Sequence, residues 1–345
     1  MKVALASTFV PFVEGGSQMI VRDLAAALAA RGHGVETIAI PASSSWDRIL
    51  EETLAMRLLE VDADADALIA IRPPSYALRH PRKRVWFIHH HRTAYDLWGT
   101  PWQDFPSGPA GLAVRDAVRR ADDRYLREAE RIFTNSRTVA ERLRRFNGID
   151  AQVLYPPLGH PERFYGEAPE DYVVYPSRIV SHKRQALAIE AAAALVSDAR
   201  VVIAGAAADP GELDALAARI REHGLERRVT LIGHWISEAE KAELIARSLA
   251  VLYVPFDEDS YGYVSLEAAH AGKAVITASD SGGVLELVRD GVNGLVAEPD
   301  GASVAAAIDG LRADPARAVA LGARNRAMLE ELRIDWDRVV EGLLG

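Results

Sequence analysis

Tyr172-Val173-Val174-Tyr175-Pro176-Ser177-Arg178-Ile179-Val180-Ser181-His182-Lys183-Arg184 decides the fold. Its first five residues form a short apolar run, the pattern of a strand buried on both faces. A polar turn with cations follows, and Leu187 to Leu195 then takes up helical spacing. Working outward, the same alternation recurs. Val201–Ala204, Val229–Ile232, Leu249–Val254, Ala274–Thr277 and Leu295-Val296 read as strands, with helices at Leu213–His223 and Glu238–Arg247. On the other side, apolar runs at Val3–Ala6, Val35–Ile40, Ala67–Ile71, Val85–Ile88, Ile132–Thr134 and Val153–Tyr155 read as strands. Helical stretches near Met19–Ala30, Trp46–Val61 and Gly111–Glu130 lie between them. Short buried strands alternating with helices imply parallel sheets built from βαβ units. Tyr155-Pro156-Pro157-Leu158-Gly159-His160-Pro161 breaks the rhythm and reads as a linker. The fold class is therefore α/β, with two doubly wound domains in series and the cleft between them as the default ligand site.

The chain has 345 residues, enough for about two domains. At 49% hydrophobic and 26% charged residues it has the balance of a globular protein. The absence of cysteine excludes disulfides, thiolate metal sites and cysteine nucleophiles. A net charge of −9 with no basic run disfavours general nucleic-acid binding. No apolar stretch reaches the ~18 residues of a spanning helix. Val3–Val13 is interrupted at Pro11 and followed by Glu14, so it reads as a first strand rather than a leader.

Chemistry-bearing residues cluster where strands give way to helices. Arg178 and Lys183 follow the strand at Tyr172–Pro176 and suit a phosphorylated ligand: arginine forks onto two oxygens, lysine acts as a point charge. A solvated basic turn has the same spacing. Asp257-Glu258-Asp259-Ser260-Tyr261-Gly262-Tyr263-Val264-Ser265-Leu266-Glu267 opens a helix, with Asp259 or Ser260 as expected N-cap and Glu267 two turns deeper. Acids beside an anion-binding helix start suggest a ligand carrying both sugar and phosphate. Ser279-Asp280-Ser281-Gly282-Gly283-Val284-Leu285-Glu286 also follows a strand and is expected to start a helix. In the first half, Glu14-Gly15-Gly16-Ser17 stands where phosphate loops form, yet neither GxGxxG nor GxxxxGK[ST] is present. Strand alternation would put His89 and His91 on one face and His90 on the other, which disfavours a metal triad. No GxSxG elbow occurs.

In this order the elements resemble the retaining glycosyltransferases of family 4, which have the GT-B fold of two Rossmann-like domains facing a cleft. Tyr175–Arg184 is similar to the family's Arg…Lys phosphate signature. Gly233-His234-Trp235-Ile236-Ser237 is similar to its G-x-[VI]-S turn beside the nucleotide base, and Tyr261–Ala268 to the second half of its Glu-x7-Glu motif. Ser281-Gly282-Gly283, Asn293–Val296, Glu14-Gly15-Gly16, Thr134-Asn135-Ser136 and Tyr155-Pro156-Pro157 also match. One departure stands out: eight positions before Glu267 the chain has Asp259, and Glu258 is nine before.

The resemblance implies an N-terminal, acceptor-side domain at 1–160, joined by about 334–345 packing back, and a donor-binding domain at 161–333. It implies transfer of a sugar from a UDP- or GDP-type donor to a hydroxyl acceptor, with retention, no metal and no cofactor. Arg178 and Lys183 would neutralise the diphosphate, and Gly262, Tyr263 and Val264 would offer backbone donors. Glu267 would hold ribose hydroxyls, Asp259 or Glu258 the sugar, and Trp235 and Ile236 the base. Gly282 and Gly283 would line the donor site, Gly15 and Gly16 would close over the diphosphate, and His90 or His89 would face the reacting centre. Alternatives on the same fold are a nucleotide-sugar epimerase and a non-catalytic nucleotide-sugar-binding subunit. A cytoplasmic location is expected, peripheral membrane association is open, and the sequence leaves donor base, sugar, acceptor and oligomeric state unassigned.

Overall fold

The structure, a computed structural model, describes residues 1–12, 15–43, 45–61, 64–207 and 209–345. Glu14 of the glycine-rich turn lies outside the described residues. Two compact units emerge, Met1–Gly159 with Ile334–Gly345, and His160–Arg333.

The first unit runs β1 (Lys2–Phe9), α1 (Gly16–Ala30), β2 (Gly34–Pro41), α2 (Ile49–Leu58), β3 (Ala67–Ala70), β4 (Lys83–Phe87), α3 (Pro109–Leu126), β5 (Arg131–Thr134), α4 (Arg137–Asn147) and β6 (Gln152–Val153). The strands form one six-stranded sheet in the order β2-β1-β3-β4-β5-β6, every pair parallel. β3 and β4 are buried along their whole length, which is why they read as continuous apolar runs. Even Lys83 is enclosed, its ammonium donating to the carbonyls of Tyr76, Leu78 and Tyr125 and to Glu128. The Ser136 hydroxyl caps α4 by accepting from Val139 N at 3.0 Å, and Gly148 ends that helix in the left-handed conformation.

The second unit runs β7 (Tyr172–Pro176), α5 (Gln185–Ala194), β8 (Arg200–Ala204), α6 (Pro210–Glu222), β9 (Val229–Ile232), α7 (Glu238–Arg247), β10 (Ala250–Leu252), α8 (Gly262–His270), β11 (Val275–Ala278), β12 (Gly294–Ala297), α9 (Gly301–Ala313) and α10 (Pro315–Glu331). Its six-stranded parallel sheet has the order β9-β8-β7-β10-β11-β12. The order reverses between β7 and β10, so connections leave their carboxyl ends toward opposite faces and open a crevice there. α5 packs on α6 and α9, while α8 packs on α7 and α10.

The last helix, α11 (Trp336–Leu344), returns to the first unit. Trp336 donates to the Leu158 carbonyl at 3.0 Å and meets Trp86 edge-on at 6.4 Å. Asp337 pairs with Arg31 of α1, and the Leu343 carbonyl accepts from Arg84. No helix among the described residues is long and apolar enough to cross a membrane.

Candidate active site

Strand order puts the turn after β7 beside the turn after β10, and these two segments carry most of the cations and acids singled out above. Ser181–Lys183 forms one 3₁₀ turn, closed by Arg184 in the left-handed region at φ 56°. That turn is held from several sides. Ser181 N donates to Glu212 Oε1 at 2.8 Å, the Arg178 carbonyl accepts from Gln185 Nε2 at 2.7 Å, and the Lys183 carbonyl accepts from the Tyr175 hydroxyl. Arg184 forks onto Asp280 with two bonds of 2.7 Å and also reaches the carbonyls of Val254 and Pro255, so it ties the strand ends together. Arg178 remains exposed.

Lys183 turns toward β10. Its ammonium donates to the Tyr253 hydroxyl at 2.7 Å and forms an ion pair with Glu258, the two side chains being only 12% and 15% exposed. Of the two candidate sugar-facing acids, Glu258 therefore meets the lysine; Asp259 is half-buried one residue on. The segment carrying them is fixed by backbone pairing. Asp257 N donates to the Asp280 carbonyl, Glu258 N to the Ser281 carbonyl, and Gly283 N to the Glu258 carbonyl.

This close approach explains the paired glycines. A Cβ at Gly282, which sits at φ +60°, would fall 2.7 Å from the backbone of Asp257 and Glu258, and one at Gly283 would fall 2.6 Å from Ser260 Cα. The expected helix start at Ser279–Glu286 is instead a single 3₁₀ turn, Gly283–Glu286, because the backbone there pairs with the acidic segment. The expected capping of α8 by Asp259 or Ser260 is also corrected. Tyr261 occupies the N-cap without a side-chain bond, and the chain enters the helix through Gly262 at φ +68°. Gly262, Tyr263 and Val264 form the first turn of α8, where backbone N–H groups lack helical partners.

Glu267, one turn further, is 1% exposed. Its Oε1 accepts from Lys241 at 2.6 Å, while Oε2 is buried with no hydrogen-bond partner among the described residues. Burial pushes its carboxyl above the ordinary range, and Lys241 pulls the other way. Lys241 also pairs with Glu238 at 3.0 Å. It lies one turn into α7, a helix started by a reciprocal cap between Ser237 and Glu240. The turn before that cap presents Trp235, 63% exposed, and the half-buried Ile236.

In the first unit, Gly15 is the N-cap of α1 without a side-chain cap bond, and its carbonyl accepts from Gln18 N at 3.0 Å and Met19 N at 3.2 Å. β4 ends at Phe87, before the histidine run, yet the expected alternation persists in burial: His90 is enclosed while His89 and His91 are half-buried. His90 turns into the core at 1% exposure, its ring 4.2 Å from Tyr95, 4.7 Å from Phe87 and 5.5 Å from Phe146. Its Nε2 meets Asn147 Oδ1 at 2.8 Å. His89 Nδ1 donates to the His90 carbonyl at 2.6 Å, which leaves Nε2 as an acceptor. Burial, with Arg72 nearby, holds its pKa down at about 3. Among the described residues no group of three or more His, Asp or Glu is arranged to hold a metal ion.

Burial also pushes the pKa of His90 down to about 4. The unfolded imidazole, near 6.5, takes up its proton first on acidification. His90's contribution to stability is thus complete above about pH 6.5 and lost as pH falls toward 4, up to about 3 kcal/mol. Asp122, which accepts from Tyr76 and Tyr95, is pushed up to about 6 and acts with the opposite sign over nearly the same interval. The difference between wild type and His90→Phe isolates the histidine. In urea melts the stability of wild type minus that of the variant should rise between about pH 4 and 6.5, and a difference that does not change with pH would contradict neutral burial of this ring.

Two family models match the chain. The description "Glycosyl transferases group 1" covers residues 163–328, and "Glycosyl transferase 4-like domain" covers 15–159. The chain belongs to the group 1 glycosyltransferases of family 4 type. D-inositol 3-phosphate glycosyltransferase of Nocardia farcinica is 28% identical over 289 residues, 77% of this chain and 62% of that one. Alpha-maltose-1-phosphate synthase of Mycolicibacterium smegmatis is 30% identical over 213 residues, 57% of this chain and 54% of that one. The chain thus spans between half and two thirds of the length of these relatives. Sucrose-phosphate synthase from Thermosynechococcus elongatus has the same fold at a TM-score of 0.81 and 19% identity, covering 99% of this chain and 98% of that one. Anabaena HepE in complex with UDP and glucose follows at 0.72 and 17%, covering 99% of both chains. The chain therefore has the GT-B fold class, α/β with two Rossmann-like domains.

Three residues of the site carry no local signal in the sequence: Tyr253, Lys241 and Glu212. Tyr253 lies inside a run that reads as plain strand, and Lys241 is 26 positions from its partner. Glu212 reaches the turn after β7 from α6, 31 positions away.

Proposed function

We propose that the protein transfers a sugar from a nucleoside-diphosphate donor, UDP- or GDP-linked, to a hydroxyl acceptor, with retention of anomeric configuration. The observation that carries this is the pairing, at one switch point, of a cationic turn with the start of α8 and a buried carboxylate bearing one open oxygen. Such a place accepts a diphosphate on one side and ribose hydroxyls on the other.

In this reading Lys183 exchanges Glu258 for phosphate oxygens, and Arg178 adds a second cation from the same turn. Together they stabilise the charge that collects on the departing diphosphate as the glycosidic bond breaks. They supply the positive charge a divalent ion could otherwise bring, so no metal enters the proposal. First-turn amides of α8, at Gly262, Tyr263 and Val264, add the positive end of a helix. Glu258, released from Lys183, accepts from sugar hydroxyls with Asp259 beside it, and Gly282 and Gly283 keep that segment close. Glu267 accepts from the ribose through Oε2, with Lys241 holding the other oxygen. Trp235 offers an exposed ring to the base beside Ile236. In the first unit we assign Gly15 and Gly16 to binding of the donor diphosphate and His89 to the reacting centre. Retention would proceed by attack on the face the diphosphate leaves, without a covalent enzyme intermediate. The names of the curated relatives and the UDP in the Anabaena protein support this class of donor.

A thermal-shift panel of UDP, GDP and ADP tests the reading. The preferred nucleotide at a hundredfold excess over its dissociation constant should stabilise the protein by about 2.7 kcal/mol. A melting temperature that none of the three moves would sink it.

A further inference from the structure

We propose that Tyr253 is a positioning residue for the transfer, fixing the Lys183 ammonium against the Glu258 carboxylate through its hydroxyl while its ring seats the start of α8. The inference rests on the nucleoside-diphosphate reading above.

Tyr253 directly follows β10, the strand that borders the switch point, and it is 2% exposed. A buried phenol needs partners for its hydroxyl. Here the partners have opposite charge: the hydroxyl accepts from Lys183 at 2.7 Å and donates to Glu258 Oε2 at 3.2 Å. A hydroxyl can do both at once, which neither a carboxylate nor an ammonium can. The ring adds two constraints. Lys183 Nζ stands 5.1 Å from its centroid, and Tyr175 meets it edge-on at 5.9 Å. A Cβ at Gly262 would lie 2.5 Å from Tyr253 Cε1 and 2.8 Å from its hydroxyl oxygen. The first residue of α8 therefore rests on the hydroxyl end of the phenol. One side chain thus registers the lysine, the acid and the helix start against one another.

The consequence appears when a diphosphate arrives. Lys183 is a point charge on a flexible four-carbon stem, and exchanging Glu258 for phosphate oxygens would otherwise free that stem. The bond to Tyr253 survives the exchange and keeps the ammonium near the helix start. The same hydroxyl holds the displaced carboxylate within reach of the sugar. Tyr253 itself touches neither.

Calorimetric titration of the full chain with UDP, and with inorganic pyrophosphate to bypass the base, tests this in a double-mutant cycle. Y253F keeps the ring contacts with Tyr175 and Gly262 and removes only the hydroxyl. It should weaken UDP binding about tenfold, the scale of one hydrogen bond to a charged group. In a K183A background the same substitution should change binding less than about twofold, because the bond from Lys183 is already gone and the remaining one to Glu258 has no ammonium left to position. The melting temperature of Y253F should stay within a few degrees of wild type. An equal loss in both backgrounds, no loss in either, or collapse of the fold would each overturn the positioning role while leaving the donor reading standing. Failure of the wild type to bind UDP, GDP, ADP or pyrophosphate would overturn both.

Discussion

Lys183→Ala should lower kcat/KM for sugar transfer by roughly 10²–10³, the cost of removing one preorganised group that stabilises developing charge. The ammonium is not a solvated surface charge. It is largely enclosed between the Tyr253 hydroxyl and Glu258, where electrostatic interactions are stronger than in water. Truncation also leaves the Glu258 carboxylate facing the diphosphate without its counter-charge, so repulsion adds to the lost attraction. Arg178→Ala should act in the same direction with a smaller effect, because Arg178 is exposed and solvent screens it. Initial-rate kinetics at saturating acceptor read both variants. Near-normal turnover in Lys183→Ala would remove the central element of the proposed mechanism.

Glu267→Ala should lose about 3 kcal/mol of folding stability together with nucleotide protection. Removing one partner of a buried ion pair typically costs about 3–5 kcal/mol, since the other charge is left uncompensated. Lys241 keeps Glu238 at 3.0 Å, and that residual partner places the expectation at the lower end. Glu267→Gln separates the two effects. It retains an acceptor of the same shape for a ribose hydroxyl but not the charge that Lys241 requires. The stability loss should therefore persist while part of the nucleotide protection returns. Denaturant melts with and without UDP measure both, and a Glu267→Ala protein as stable as wild type would show that the pair is dispensable.

Much of the architecture is legible in the sequence because parallel strands buried on both faces leave uninterrupted apolar runs. β7 and β9 coincide with the runs at Tyr172–Pro176 and Val229–Ile232, and α7 with Glu238–Arg247. Strand ends are less legible. The apolar run reaches Ile88, yet β4 closes at Phe87; the alternation nonetheless carries past the strand end, with His90 buried and His89 and His91 half-buried. What His90 meets in the core is Tyr95 and Phe146, which no local pattern relates to it. The paired glycines read locally as the opening of a helix. Their actual constraint, a backbone passing 2.7 Å from where a side chain would begin, comes from a segment more than twenty residues earlier. The nine-residue spacing from Glu258 to Glu267 is anomalous on a linear count, but it is Glu258 that meets Lys183. The Lys241–Glu267 pair spans two helices, and sequence periodicity carries no signal for such contacts.

The return of α11 to the first unit changes how the linear map of the chain should be read. Residues 160–333 are an insertion within a domain whose two pieces lie at opposite ends of the sequence. A truncation after residue 333 would look like damage to the second half. What it removes is Trp336 from Trp86 and the Leu158 carbonyl, and Asp337 from Arg31. The sheet of the second unit would keep every strand. The unit that would lose its support is the one encoded first, and producing that unit alone would require the final helix to be grafted back after Gly159.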